Sequence, residues 1–352
     1  MRYTVAFILV ALFLFLAAGS VAATGAWGQI NQEVEKPEGW RRFVEGSAFW
    51  LGEPTVVGDM NGKPLYEVPY GTYPSIDGST IAVPMVMEFA RQHLNVPEED
   101  LEGFVFLSTT HTAYEHLIRK LPNGAAIIGS MNATMEENKP VDLFIGTEPS
   151  ADELALAAEY GVELLKEPIA YDAFVFITHA ENPVDNLTAE QIQGIYSGKY
   201  ISWKEVGGPD EPIYAYQREQ NSGSQTAMET MVMQGKPMDG AQSNEIIVHE
   251  MSGLIERVGQ YENRNNSIGF TYKYYIDTLY QSDSIKILSI DGVYPTPENL
   301  RNGTYPYTAL YYGVIRREDE LNAGGKFLRW MKSVEGQRSI QQAGYIPYAE
   351  VE

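Results

Sequence analysis

Arg218 stands four residues before Ser222-Gly223-Ser224, and the group describes one wall of a site for an oxyanion. A guanidinium is a planar fork of donors that suits an anion with several oxygens. Hydroxyls and a glycine at the start of a helical run add side-chain donors and backbone N–H groups that a ligand can approach closely. Three other segments carry residue types that could form a facing wall. In Asp77-Gly-Ser-Thr80, Ser79 and Thr80 precede a run through Ile81, Val83, Val86 and Phe89. They read either as donors at a helix start or as ordinary caps. In Ser108-Thr-Thr-His-Thr112, Thr110 and Thr112 are candidate donors and His111 a further one, with Tyr114, Leu117 and Ile118 continuing as a helix.

The third segment, Ile145-Gly-Thr-Glu-Pro-Ser150, contributes a carboxylate at Glu148. A carboxylate repels a fully ionised anion but accepts a hydrogen bond from a protonated one. Phosphate near neutral pH keeps a proton and sulfate keeps none, so a buried Glu148 carboxylate beside Arg218 would select phosphate over sulfate. The other reading of Glu148 is a charge that favours a helix N-terminus at Ser150.

These loops need elements to position them, and the pattern is α/β. Short apolar runs predict strands at Phe104–Leu107, Leu143–Ile145, Ala173–Ile177, Ile213–Tyr216, Ile287–Ile290 and Ala309–Ile315. Ser150 with Glu153, and Thr188 with Gln191, have the spacing of capping boxes. The run Gly325–Ala343 reads as one helix, ended by Gly344 with Pro347 following. Tyrosines cluster at Tyr272–Tyr275 and Tyr305–Tyr312, where they either line a cleft or pack the domains.

Composition narrows the function. A chain of 352 residues with 44% hydrophobic content can fold two domains. The formal net charge of −22 argues against nucleic acid and anionic membranes as partners, and any anion must be held by local donors. There is no cysteine, which excludes thiolate metal sites, cysteine nucleophiles and a lipid-modified cysteine. The five histidines, at 93, 111, 116, 179 and 249, form no His-x-His or His-Glu-x-x-His cluster, so neither a catalytic metal nor another cofactor is expected. Met1-Arg2, the apolar run Val5–Ala18 and Val21-Ala22-Ala23 read as a secretory signal over residues 1–23. An uncleaved anchor is the alternative, and the only membrane contact expected.

Beyond the four loops, Glu181-Asn-Pro-Val-Asp-Asn-Leu-Thr188, Ile195-Tyr-Ser-Gly-Lys199, Ser202-Trp-Lys-Glu-Val-Gly-Gly208 and Ala343-Gly-Tyr-Ile-Pro347 carry a family likeness. From about Tyr73 to Tyr348 the chain resembles the phosphate-binding proteins of ABC phosphate transporters, in the periplasmic-binding-protein-like class. The family's Arg and Ser-Gly-Thr match Arg218, Ser222, Gly223 and Ser224, with Ser in the last place. Its Gly-x-Thr-Phe loop is similar to Gly78-Ser-Thr-Ile81, and its Ser-Asp segment to Thr147-Glu148, one methylene longer. Its Ser-rich loop corresponds to Ser108–Thr112.

The resemblance implies a two-lobed class II fold, with two doubly wound α/β lobes joined by two crossing strands. Residues 24–53 would be a lead-in, 54–171 with 308–352 the first lobe, and 172–307 the second. It further implies a non-enzymatic, exported monomer, periplasmic or at the cell surface, that closes on inorganic phosphate and delivers it to an ABC permease. Two alternatives keep the fold but bind another tetrahedral oxyanion or act as an extracellular phosphate sensor. A phosphoester hydrolase using Ser222 or Ser79 lacks support from any Gly-x-Ser-x-Gly motif.

Overall fold

The computed structural model describes residues 55–58, 64–68, 73–94, 101, 105–123, 139–238, 247–248, 251–260 and 266–351. The expected signal segment 1–23, the lead-in 24–53 and His249 lie outside the described residues. In chain order the first elements are β1 (Thr55–Gly58), β2 (Pro64–Val68), β3 (Ile76–Gly78), α1 (Val83–Leu94), α2 (Thr110–Arg119), β4 (Leu143–Gly146), α3 (Ala151–Glu159) and β5 (Leu164–His179). Then come β6 (Asn186–Leu187), α4 (Ala189–Tyr196), β7 (Tyr214–Ala215), β8 (Gln217–Arg218), α5 (Gly223–Ala227), β9 (Ile247–Val248), α6 (Met251–Gly259) and β10 (Ser267–Tyr272). The chain continues with β11 (Ile285–Ile287), β12 (Ser289–Ile290), α7 (Pro297–Arg301), β13 (Thr308–Arg316), α8 (Ala323–Met331), α9 (Val334–Gln342) and β14 (Ile346–Pro347).

One sheet carries the molecule, in the order β3-β4-β13-β5-β10-β7, with β11 and β14 also pairing with β5. The sequence predicts a short strand at Ala173–Ile177; β5 instead runs 16 residues, from Leu164 to His179. Its first part pairs antiparallel with β13 from Leu164↔Arg316 to Ala173↔Thr308. Its last part pairs with β10 from Phe174↔Tyr272 to Thr178↔Ile268. Lys166-Glu-Pro168 breaks the apolar pattern and hides the first part. Opposite it, Tyr311 pairs with Ala170 and Tyr312 with Pro168, which leaves Ile169 as the extra residue of a bulge. The bulge accommodates a proline that cannot donate to the ladder.

Each end of this sheet is covered on both faces. Val314 of β13 packs with Ala113, Tyr114, Leu117 and Ile118 of α2, Phe144 of β4 and Ala157 of α3. Its neighbour Gly313 points the other way, where Leu328 of α8 lies against it. Alternation along a strand produces the two faces. At the far end Gly269 of β10 meets Leu254 and Val258 of α6, while Phe270 packs near Tyr196 of α4, with 5.6 Å between ring centroids. The result is the expected α/β fold with two doubly wound lobes, joined where β5 crosses and where the chain returns through Tyr307 to β13.

Local signals held where they were local. Both capping boxes form, at Ser150 with Glu153 and at Thr188 with Gln191. Further expectations change, and the strand expected at Ile287–Ile290 is two short ones, β11 paired with β5 and β12 paired with β6. Val105–Leu107 is not a strand: the Asn123 amide bridges the carbonyls of Ile76 and Phe106 in place of a ladder. The single helix expected at Gly325–Ala343 is two, α8 and α9, because Ser333 caps a new start through its hydroxyl and the N–H of Gly336. Gly336 permits the sharp packing, since a Cβ there would sit 2.1 Å from the Trp330 carbonyl oxygen. Gly336→Ala is therefore expected to cost about 1–3 kcal/mol, read as a lower thermal transition by calorimetry; an unchanged transition would show that the joint between α8 and α9 yields freely.

Candidate functional site

The first wall is built at the ends of β3 and β4 and at the start of α2. Asp77, fully buried, accepts from the N–H of Gly78 and Ser108, from the Ser108 hydroxyl (2.9 Å) and from His116 Nδ1 (2.8 Å). One carboxylate thus locks the Ser79 loop to the Ser108–Thr112 loop. Ser79 is buried, stands at an N-cap position and makes no side-chain cap bond, so capping does not consume its hydroxyl. Thr80 is exposed. Thr110 is buried, whereas Thr112 is partly exposed and receives a hydrogen bond from the Thr109 hydroxyl at 3.2 Å.

His111 turns to Glu153, with Nδ1 3.0 Å from Oε1. Burial raises the Glu153 carboxyl, against the lowering effect of the Ser150 N–H and of His111. Glu148 is not the buried carboxylate that the selective reading called for. It is exposed, its carboxylate lies 2.6 Å from Lys166 Nζ, and the helix start belongs to the Ser150–Glu153 box. Burial pulls its pKa up, but hydrogen bonds from Lys166 and Tyr312 outweigh it and hold the carboxyl below its ordinary value. Thr147, its neighbour, occupies the buried place in this loop. Its carbonyl accepts from the Tyr114 hydroxyl at 2.8 Å.

The second wall starts at β8. Arg218 is half-buried, donates from Nε to the Val248 carbonyl at 2.8 Å and places Nη1 3.5 Å from the Ser224 hydroxyl. Ser222 caps α5 by accepting from the Gln225 N–H at 3.2 Å. The Gly223 carbonyl accepts from the Tyr272 hydroxyl at 3.1 Å. Burial keeps that hydroxyl protonated well past the usual tyrosine range, so it remains a donor.

The two walls meet. A Cβ built on Gly223 would lie 2.4 Å from Thr147 Oγ1 and 3.0 Å from Thr110 Oγ1, so only a glycine fits there. The Thr147 hydroxyl is buried beside the Tyr272 hydroxyl without a well-aligned hydrogen bond. At the rim Asn221 Nδ2 donates to Asp152 Oδ2 of α3 at 3.0 Å, a second link between the walls. Next to the meeting point is a cavity of about 180 Å³, lined among others by Thr147, Glu148, Gly223, Thr226, Tyr272 and Tyr312.

Of the residues nominated from sequence, Thr110 and Gly223 come into direct apposition, Arg218 and Ser224 sit together, and Glu148 shares the cavity with Gly223. His111 is occupied by Glu153. Sequence reasoning did not nominate Thr147, Asp77, Asn221 or Lys166 as parts of the site. The loop after β4 that pointed to Glu148 held the signal for Thr147; nothing local marks Lys166, 18 residues further on.

A family model described as a PBP superfamily domain matches residues 128–335, more than half of the chain. The chain belongs to the PBP superfamily. Among curated relatives, the phosphate-binding protein PstS of Bacillus subtilis is 26% identical over 245 residues, 64% of this chain and 77% of that protein. PstS of Borreliella burgdorferi is 30% identical over 185 residues, 50% of this chain and 63% of that one. A phosphate ABC transporter substrate-binding protein of Clostridium perfringens, solved with bound phosphate, superposes with a TM-score of 0.55 at 27% identity, covering 79% of this chain and all of its own. An ABC-type phosphate transport receptor of Vibrio cholerae, at 21% identity and a TM-score of 0.51, supports the fold alone.

For this superfamily member, Gly223→Ala should hold the walls apart. Small-angle scattering is expected to give a larger radius of gyration than wild type with a nearly unchanged thermal transition, and Thr147→Ala in the same chain should reverse part of the expansion. A Gly223→Ala protein as small as wild type would show that Thr110 and Thr147 move aside.

Proposed function

We propose that this protein captures inorganic phosphate between its lobes and hands it to an ABC importer, without chemistry. The observation that carries the reading is the apposition of Gly223 with Thr110 and Thr147, which brings a wall bearing Arg218 against a wall bearing hydroxyls and a carboxylate. The similarity to phosphate-binding proteins of other bacteria supports the choice of anion. We assign residues 54–171 and 308–352 to the first lobe and 172–307 to the second. Ser79, Thr80, Thr110, His111, Thr112 and Glu148 belong to the first, and Arg218, Ser222, Gly223 and Ser224 to the second. The strand ends of the two doubly wound lobes form the cleft, where such folds bind ligands.

Each group has a role. Arg218 supplies charge and a fork of donors to oxygens that the acidic chain as a whole repels. Ser222, Ser224, Ser79 and Thr110 donate hydroxyls, and Gly223 allows backbone approach. Glu148, kept ionised by Lys166 and Tyr312, has only acceptor capacity, so it favours a ligand that still carries a proton. Because contacts on both lobes are satisfied only when the lobes close, binding stabilises the closed form that a permease would recognise. The protein is read as exported and monomeric, with residues 1–23 as its signal.

Calorimetric titration of the mature protein should show tight phosphate binding that a large excess of sulfate leaves intact. Arg218→Ala should weaken binding about a hundredfold, the equivalent of ~3 kcal/mol for a lost charge-assisted contact. The same change should lower the thermal transition by a few degrees, because the bond to Val248 goes with it. Sulfate competing on equal terms would remove the role given to Glu148, and unchanged affinity in Arg218→Ala would remove the site.

A further inference from the structure

Asp172 sits at the place where β5 changes partners. It pairs with Ala309 of β13, and two residues later Phe174 pairs with Tyr272 of β10. Its carboxylate is buried, at 4% exposure, and is held by three donors. Oδ1 accepts from the N–H of Ala173 at 2.7 Å and of Tyr274 at 3.1 Å, and Oδ2 accepts from the Tyr311 hydroxyl. The donors come from three elements: β5 itself, β13, and the segment that follows β10.

The network extends from the strand crossing to the first wall. The Tyr274 ring stacks on Tyr345 at 3.8 Å and 12°, and Tyr311 meets Tyr345 edge-on at 5.8 Å. The Tyr274 hydroxyl donates to the Ala343 carbonyl at 2.7 Å, and the Tyr345 hydroxyl to the carbonyl of Ile81, the residue after Ser79-Thr80. A chain of packed and bonded groups thus joins the crossing to the loop that carries two nominated ligand residues. The titratable and charged groups facing Asp172 are Tyr311 from β13, Tyr305 from the segment before it, Tyr272 from β10, Tyr274 and Lys273 from the segment after that strand, and Tyr345 from the C-terminal segment.

We propose that Asp172 is a positioning residue for ligand capture: by fixing Tyr311 and Tyr274 in one arrangement at the crossing, it sets how far the lobes close, and protonation of its carboxylate relaxes that setting. Burial raises the Asp172 carboxyl from 3.8 to about 6, against the lowering effect of Tyr311, Ala173, Tyr274 and Lys273. The sign of the consequence is specific. A carboxyl whose pKa is raised by folding opposes folding when ionised, so stability from this group grows as pH falls through about 6 towards 3.8. Closure moves the other way, because the ionised acceptor that organises the tyrosines is lost over the same range. A merely structural carboxylate would move stability and closure together.

The inference rests on the phosphate reading for its affinity readout alone. The test uses wild type, Asp172→Asn and Tyr311→Phe, with small-angle scattering of ligand-free protein at about pH 7.5 and about pH 5, on either side of the raised carboxyl, thermal transitions, and phosphate titration. Asp172→Asn at the higher pH is expected to match the radius of gyration of wild type at the lower one and to show no pH response of its own between the two. It should melt at or above wild type and bind phosphate about tenfold more weakly, a typical coupling magnitude. Tyr311→Phe should lie between. Identical radii of gyration and affinities in wild type and Asp172→Asn would overturn the proposal, as would a joint collapse of melting temperature and affinity. Should wild type bind no phosphate, the functional reading fails separately, and the ligand-free radii of gyration still decide the role of Asp172.

Discussion

A strand that runs through two lobes must satisfy two cores with one backbone, and β5 is that strand. Its first five residues are at most partly covered, whereas Ala173–His179 is buried throughout. The two parts pair with different neighbours, so each end is anchored by its own ladder and its own helices. The change of neighbour falls between Ala173, the last residue paired with β13, and Phe174, the first paired with β10. The buried carboxylate of Asp172 stands just before that step, and the bulge at Ile169 interrupts the β13 ladder a few residues earlier. Irregular backbone and a buried charge cost stability, and such features gather where a fold has to move.

The cleft follows from the same constraint. Loops at the strand ends of each lobe can face each other only because β5 and the returning chain hold the lobes in register. Among the described residues, what they present is hydroxyls, glycines and the Arg218 guanidinium rather than a general positive field. A chain with a formal charge of −22 draws no anion by long-range steering, and the contacts within a few ångströms have to do the selecting. The Lys166–Glu148 pair fits this arrangement. It keeps a carboxylate ionised at the cavity and offsets the repulsion that a bare acid would add.

Sequence reading succeeded where an interaction closes within a few residues. The Ser150–Glu153 and Thr188–Gln191 boxes, the start of α2 and the stop at Gly344, with φ at +89°, all depend on neighbours within one turn. It failed where a distant partner decides. An apolar period alone cannot separate one helix from two, so Ser333 went unrecognised as a cap. Phe104–Leu107 has the composition of a strand, yet the Asn123 side chain takes the carbonyl a ladder would use. Lys166-Glu-Pro168 looks unlike a strand and becomes one because β13 lies beside it.

By itself, then, the sequence determined the chemical inventory: a fork of donors at Arg218, hydroxyl loops after strands, a carboxylate at Glu148, no cysteine, and an α/β order of elements. Residue type and short spacing carry that information because they act through local geometry. Tertiary structure alone decided which members of the inventory meet. Thr147 rather than Glu148 fills the buried position against Gly223, Lys166 takes Glu148, Glu153 takes His111, and Asp172 gathers tyrosines from across the crossing. These pairings join residues tens to more than a hundred positions apart, and only the packed sheet brings them within contact.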